Sequence, residues 1–197
     1  MSGEEEVVHR DDDAEAMRAS LECPQAFELI FDRHHGVIWA YLARLGGRDR
    51  ADELAGEVFL VAFARRASYD PTRGSVRSWL YGIASNLLRT RFRSDARAAR
   101  AFRQAAARHR PVVVSIDGVE EVLAGRQRFD VVVAALGRLP AGDREIIVLF
   151  AWERLSYDEI ATALGIEVGT VRSRLSRARG RLRELVAASG ELTDEVT

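Results

Sequence analysis

The sequence predicts an all-α protein in which a basic linker joins two small helical domains. Apolar residues recur at helical spacing in two stretches, one that begins at Pro24 and one that begins at Phe129. No pair of segments alternates as neighbouring strands would, and the stretch between the two periodic regions is rich in arginine. The 197 residues, 47% of them hydrophobic, are enough for one or two small cores.

Charge is distributed unevenly along the chain, although the formal net charge is only -1. Residues 1–22 carry eight acids against two arginines, whereas residues 89–110 carry eight arginines against one acid. This separation predicts an acidic, disordered tail over residues 1–22 and basic segments that face nucleic acid. The chain contains no lysine, and its use of arginine fits phosphate contacts or a bias in base composition equally well.

The composition also disfavours secreted and membrane-spanning proteins. Cys23 is the only cysteine, so the chain cannot form an internal disulfide and suits a reducing compartment. The acidic N-terminus lacks the apolar core of a signal peptide, and apolar runs such as residues 58–64 are too short to span a bilayer. We therefore expect a cytoplasmic protein with no membrane insertion.

Three helices are predicted for the N-terminal domain, residues 23–95. The first ends at Gly46–Gly47, and the second runs from about Arg50 to Arg66, with acids near its start that complement the helix dipole. A turn over residues 68–75 precedes the third helix. Its predicted buried stripe consists of Val76, Trp79, Leu80, Ile83 and Leu87, and its opposite side of Tyr81, Ser85, Arg89 and Phe92.

Two of these helices have surfaces that fit a function. Aromatic residues beside arginine on the third helix would stack unpaired bases, although packing of Tyr81 and Phe92 on a neighbouring helix explains the pattern equally well. The acidic and aromatic second helix suits a basic protein partner. An ordinary helix start, with acids placed to complement the dipole, explains that surface almost as well.

The C-terminal half contains a predicted helix-turn-helix. After the linker, residues 96–127, the domain covers residues 128–187 and a short tail covers residues 188–197. Ser156 and Glu159 have the spacing of a capping box, Gly165 supplies a turn, and a second helix begins near Val168.

The second helix of this pair has the surface expected of a DNA-recognition helix. Six arginines and no acid lie between Arg172 and Arg183. The predicted inward stripe consists of Val171, Leu175, Ala178 and Leu182, and the outward face of Gly169, Ser173, Ser176 and Gly180. Small residues flanked by arginines would let the helix lie deep in a major groove, which favours DNA docking over a merely solvated face.

Three segments together resemble the extracytoplasmic-function type of sigma-70 family RNA polymerase sigma factors. "ADELAGEVFLVAFARR" at 51–66 is similar to region 2.2, which binds the coiled coil of the largest polymerase subunit. "VRSWLYGIASNLLRTRFR" resembles regions 2.3 and 2.4, which open and recognise the −10 element. Residues 139–185 resemble region 4, which recognises the −35 element and contacts the flap of the second-largest subunit.

The resemblance implies three groups of site residues. For the −10 element, it implies that Tyr81, Ile83 and Asn86 surround a captured base. It also implies −10 contacts for Arg89 and for Arg73, which lies in the loop of residues 69–75 that would select bases. Those implied for the −35 element are Thr170, Arg172, Ser173, Ser176 and Arg177. Those implied for polymerase binding are Asp52, Glu53, Glu57 and Phe59. Within the −35 helix, we expect Arg172 to recognise bases and Arg181 to contact phosphate.

The implied partners are core RNA polymerase and promoter DNA, and an anti-sigma factor is a further candidate partner. We expect no enzyme activity, cofactor or metal, because Cys23 and the His34–His35 pair form no ligand set and His34 lies on an apolar face. The alternative function is that of a free-standing helix-turn-helix regulator, which would bind duplex operator DNA without polymerase.

Overall fold

A computed structural model describes residues 12–105 and 126–194, and every element within these ranges is helical. The chain divides into two compact units, Met1–Ser115 with Thr162–Gly165 and Ile116–Ala161 with Ile166–Thr197. The longer helices are α1 (residues 12–19), α2 (Glu28–Gly46), α3 (Arg48–Arg65), α4 (Val76–Ala105), α5 (Arg126–Arg138), α6 (Ala141–Ala151), α7 (Tyr157–Leu164) and α8 (Val168–Asp194). Among the described helices, none is both long and apolar enough to cross a membrane.

The core of the N-terminal unit lies where α2, α3 and α4 pack against one another. Helix α2 ends at the predicted glycine pair, because Gly47 has a φ of 92°, a backbone conformation that residues other than glycine rarely adopt. This left-handed residue lets α3 begin immediately at Arg48. The fully buried side chains of this core include Ile30, Ile38, Tyr41, Leu42, Leu54, Leu80 and Tyr81.

The prediction of a disordered tail is wrong for residues 12–22, while residues 1–11 lie outside the described residues. Residues 12–19 form α1, in which Met17 is 1% exposed. Asp13 is buried as well, and its carboxylate binds His34 Nε2 at 2.6 Å and Arg33 at 2.8 Å. The acids that suggested disorder therefore include one that attaches this helix to α2.

Helix α4 is rotated relative to the prediction. Its buried residues are Val76, Ser78, Leu80, Tyr81, Ala84, Ser85 and Leu88. Trp79, Ile83 and Leu87, which were predicted to be buried, are only half-buried. The physical reason is a polar pair in the core, because the hydroxyls of Tyr41 and Ser85 lie 2.9 Å apart and satisfy each other away from water.

Two predicted boundaries also differ from the structure. Helix α4 continues to Ala105, so the first ten residues of the predicted linker are helical, and residues 106–125 lie outside the described part of the chain. Helix α8 continues to Asp194, through most of the predicted tail.

The C-terminal unit is built around α8, which packs against α5 and α6. Pro140 separates α5 from α6, as the break in periodicity predicts. Arg144 donates to the carbonyl oxygens of Gly137 and Leu139 at the end of α5. Burial lowers the pKa of the Arg144 guanidinium.

Candidate nucleic-acid and polymerase interfaces

The outward face of α3 carries an apolar side chain between acids. Leu60 is 72% exposed, and Glu53, Gly56 and Glu57 lie three to seven residues before it, on the same side of the helix. A Cβ added at Gly56 would meet nothing within 4 Å, so this face is open. We call these four residues the α3 face.

The residues predicted to bind polymerase are used in different ways. Asp52 accepts a hydrogen bond from the Trp39 indole at 2.7 Å, and Glu53 forms an ion pair with Arg91 at 2.6 Å. Glu57 is exposed. Phe59 is only 5% exposed and packs edge-on against Phe31, so the expectation of an exposed contact there is wrong.

The residues predicted for the −10 element on α4 do not all share a surface. Asn86 is exposed, and Ile83 and Arg89 are half-buried one turn to either side. Tyr81 is fully buried against Tyr41, with ring centres 5.1 Å apart, so for this residue the alternative of packing on a neighbouring helix is confirmed and exposure of the ring is wrong. Ser85 is buried too, whereas Phe92 is 40% exposed as predicted.

The loop before α4 is held by its own side chains. The Asp70 carboxylate accepts hydrogen bonds from the backbone N–H and the hydroxyl of Thr72, which lower the pKa of Asp70. Tyr69 donates to the carbonyl oxygen of Gly74 at 3.0 Å. Arg73 is exposed at the tip of this ordered loop.

The helix-turn-helix is formed as the sequence predicts. Ser156 Oγ accepts from the Glu159 N–H at 3.2 Å, and the Glu159 carboxylate accepts from the Ser156 N–H at 3.0 Å. Gly165 takes a φ of 63° in the turn, and α8 begins at Val168. Two of the backbone N–H groups that lack an intrahelical partner at the start of α7, those of Ser156 and Glu159, are thus bonded by a reciprocal cap.

The outer surface of α8 carries the residues predicted for the −35 element. The inward stripe is confirmed for Val171, Leu175 and Ala178, all at most 1% exposed, while Leu182 is half-buried. Arg172, Ser173, Ser176 and Arg177 are exposed, and Thr170 is half-buried. Arg181 forms an ion pair with Asp143 of α6, an internal partner that the sequence reasoning did not anticipate.

Several features near these surfaces were not predicted from the sequence. Leu60 follows the predicted Phe59 by one position, and only the structure shows which of the two faces outward. Tyr69, in the loop before α4, packs against Trp79 with ring centres 5.6 Å apart. His34 was correctly predicted to be buried, but its partner Asp13 lies 21 residues away and gave no local signal.

These features define a class of protein, an all-helical chain with a basic helix-turn-helix in one unit and an exposed apolar side chain between acids on a helix of the other. Residues 30–98 match the family described as Sigma-70 region 2, and residues 129–182 match Sigma-70, region 4. The chain belongs to the extracytoplasmic-function RNA polymerase sigma factors, which direct RNA polymerase to promoters. The match to both regions does not favour the alternative of a free-standing regulator.

Similar proteins cover most of the chain. It is 33% identical over 145 residues to the ECF RNA polymerase sigma factor EcfG of Rhodopseudomonas palustris, covering 74% of this chain and 76% of that one. It is 32% identical over 184 residues to the RNA polymerase sigma factor CnrH of Cupriavidus metallidurans, covering 89% and 94%.

Two solved structures have a similar fold. The structure of CnrH in complex with the cytosolic domain of CnrY matches with a TM-score of 0.64 at 30% identity, covering 90% of this chain and 99% of that one. The sigma factor RpoE in complex with the anti-sigma factor NepR from Bartonella quintana matches with a TM-score of 0.62 at 27% identity, covering 83% and 98%.

Proposed function

We propose that this sigma factor works by binding alone. The α3 face docks on the coiled coil of the largest polymerase subunit. Helix α4 and the loop of residues 69–75 bind the opened −10 element, and α8 recognises the −35 element in duplex DNA. No covalent step is involved. The observation that carries the proposal is the outer surface of α8, where small and basic residues are exposed over a buried apolar stripe.

The polymerase contact rests on the α3 face. Leu60, at 72%, is the most exposed large apolar side chain among the described residues, so a partner that covered it would gain apolar burial. Gly56 leaves room beside Leu60 for close approach of another helix. Glu57 adds an exposed negative charge that suits a basic partner.

The −10 contact rests on Asn86, Ile83 and Arg73. The amide of exposed Asn86 offers both donors and acceptors to a base edge, and half-buried Ile83 offers an apolar surface beside it. The internal hydrogen bonds of the loop fix its conformation before DNA binds, which lowers the entropy lost on binding. Tyr81 contributes indirectly, as part of the core beneath this surface.

An anti-sigma factor is a proposed regulatory partner. The Bartonella relative is seen in complex with the anti-sigma factor NepR, and an exposed docking face on this chain would offer such a partner the same contacts as polymerase. Occupation of the α3 face by an anti-sigma factor would then exclude polymerase.

The direct test is run-off transcription on fragmented genomic DNA with bacterial core polymerase, with and without the full chain. We expect discrete new start sites, each preceded by a shared pair of −35 and −10 motifs. Absence of new starts, together with tight binding of the chain alone to duplex DNA, would support the free-standing regulator instead.

The docking face is tested by Leu60→Gln. Because Leu60 is largely exposed, the substitution should leave the free energy of unfolding within about 0.5 kcal/mol of wild type. It should weaken the affinity for core polymerase by about tenfold, since an interface anchor loses roughly 1–2 kcal/mol on truncation or polar replacement. Leu29→Gln is the matched control, because Leu29 is 50% exposed on α2. Equal losses for both variants would contradict the assignment.

A further inference from the structure

Two arginines of α8 have guanidinium groups within cation–π distance of aromatic rings. The guanidinium carbon of Arg179 is 4.6 Å from the ring centre of Phe150, and that of Arg172 is 6.0 Å from the ring centre of Tyr157. The two rings are themselves neighbours, with centres 5.5 Å apart and planes tilted by 34°. These four side chains form a connected group that we call the arginine–aromatic row.

A cavity of about 200 Å³ lies beside this row. Its lining residues are Tyr157, Arg172, Leu175, Ser176, Arg179 and Arg183. Three of the six are arginines and none is an acid, so the cavity offers positive charge and hydrogen-bond donors without a carboxylate in its lining to neutralise them. Such a lining fits an anion.

The aromatic contacts leave the arginines able to bind that anion. A guanidinium that lies over a ring keeps its charge and its in-plane N–H donors, whereas one in an ion pair has donors occupied. Arg181 shows the second situation, because it is paired with Asp143. The flank of α8 that carries the row thus keeps its charge available, and the ring contacts restrict the arginine side chains before DNA binds.

We propose that Phe150 and Tyr157 are positioning residues that hold Arg179 and Arg172 at the edge of α8 and so build, together with Arg183, a pocket for one backbone phosphate of the promoter. This inference rests on the proposed docking of α8 in the −35 element. It gives Arg172 a phosphate contact in place of the base contact that the sequence predicts, and it leaves base recognition to Ser173, Ser176 and Arg177.

The test uses the full chain in holoenzyme with core polymerase, on a promoter mapped by the run-off experiment. Each phosphate flanking the −35 element is replaced singly, on either strand, by a neutral methylphosphonate. Wild-type holoenzyme should lose about tenfold in affinity at one phosphate, as expected for loss of a charge-assisted contact. Arg179→Gln should weaken binding to the unmodified promoter by a similar factor and remove the penalty at that phosphate.

The positioning role is tested by Phe150→Leu, which keeps apolar bulk and removes the ring. Affinity should fall by about three- to tenfold, with a smaller penalty at the same phosphate and a shallower dependence on salt. Phe150→Tyr should restore both, because it restores the ring. A merely structural role for Phe150 would lower thermal stability without changing the penalty at one particular phosphate.

Arg174→Gln is the charge-matched control, since Arg174 lies on the opposite flank of α8 and outside the cavity lining. In this variant, replacing the identified phosphate by methylphosphonate should weaken promoter binding by the same factor as in wild type. If Arg179→Gln used the promoter normally and still lost as much affinity as wild type when that phosphate is neutralised, the pocket would be overturned. The proposed function would then still stand. Failure of the run-off experiment to map any promoter that depends on this chain would overturn both.

Discussion

Helices α4 and α8 are both long, arginine-bearing helices, and the sequence predicted a buried and an exposed side for each, yet the predicted orientation was right only for α8. On α8 every residue of the confirmed inward stripe is apolar, so that polarity and exposure coincide. On α4 three residues with polar groups, Ser78, Tyr81 and Ser85, face the core, while Trp79 and Ile83 are half-buried near the surface. The periodicity of α4 was therefore correct and its orientation was not.

The two units differ in the same way, in how many polar residues their cores contain. Of the eight buried polar or charged residues among those described, six lie in the N-terminal unit and two, Glu145 and Glu153, in the C-terminal unit. Buried polar groups must find partners inside the protein, and such partners are often distant in sequence. Where a core uses them, hydrophobic periodicity alone does not show which face is inward.

The largest expected effect tests the orientation of α4. Tyr81→Ala removes a fully buried ring and should lower the free energy of unfolding of the N-terminal unit by about 3–5 kcal/mol. The chain has three tryptophans, of which Trp39 and Trp79 lie in this unit. Denaturation followed by tryptophan fluorescence in a Trp152→Phe background therefore reports this unit.

Asn86→Ala is the control on the same helix. Because Asn86 is exposed, its stability should change by no more than about 0.5 kcal/mol, while use of the −10 element declines. If Tyr81→Ala instead lost only −10 recognition at unchanged stability, the buried orientation of Tyr81 would be contradicted.

Asp13 is a buried charged residue of the N-terminal unit, and its contribution to the stability of that unit should depend on pH. Burial raises the pKa of the Asp13 carboxyl, but hydrogen bonds from His34 and Arg33 outweigh it, so its pKa is lowered below the ordinary value of 3.8. A lowered folded-state pKa contributes stability that is present above the unfolded-state value and is lost as pH falls. Asp13→Asn should cost about 1.5–3 kcal/mol at pH 7, and the difference from wild type should shrink below pH 3.8.

Asp12→Asn is the matched control for this experiment. The Asp12 carboxylate is half-exposed and 3.8 Å from Arg33, so its loss should cost about 0–1 kcal/mol. Urea denaturation of the N-terminal unit at a series of pH values measures both variants. A cost for Asp13→Asn that stayed constant down to pH 2 would show that the carboxylate charge is not what attaches α1.

Much of the fold followed from local signals, and the rest did not for one physical reason. The helix-turn-helix was predictable because the capping box, Gly165 and the apolar stripe lie within a few residues of one another. The pairs that fix α1 and orient α4, Asp13 with His34 and Tyr41 with Ser85, join residues 21 and 44 positions apart. No local pattern contains such a pair, so disorder and exposure were predicted in their place.

The same limit applies to the candidate site. The exposed residues of α8 were predicted because exposure there follows from polarity. On α3 the neighbours Phe59 and Leu60 are both apolar, and only the packing of Phe59 against Phe31 determines which of them is exposed. Charge was equally ambiguous, because Glu53 and Arg181 look solvated in the sequence but have partners on other helices.

A smaller effect is expected from Arg177→Ala, which tests the proposed base recognition by α8. Arg177→Ala should reduce discrimination between the matched and a scrambled −35 element by about 1–3 kcal/mol without changing thermal stability, because Arg177 is exposed. Competition binding of holoenzyme to the two DNAs measures it. Arg181→Ala makes the same change at a residue paired with Asp143 and should leave the discrimination unaltered. An equal loss on both DNAs for Arg177→Ala would assign it a phosphate contact instead.

The smallest expected effect concerns the turn that leads into α7. Arg154 has a φ of 53°, a left-handed conformation that costs a residue with a side chain about 1 kcal/mol relative to glycine. Arg154→Gly should therefore raise the free energy of unfolding of the C-terminal unit by about 0.5–1 kcal/mol, measured by Trp152 fluorescence with Trp39 and Trp79 replaced by Phe. Arg138→Gly is the control, because Arg138 ends helix α5 and glycine there should destabilise. A loss of stability in Arg154→Gly would mean that the exposed Arg154 side chain stabilises the turn by more than its backbone conformation costs.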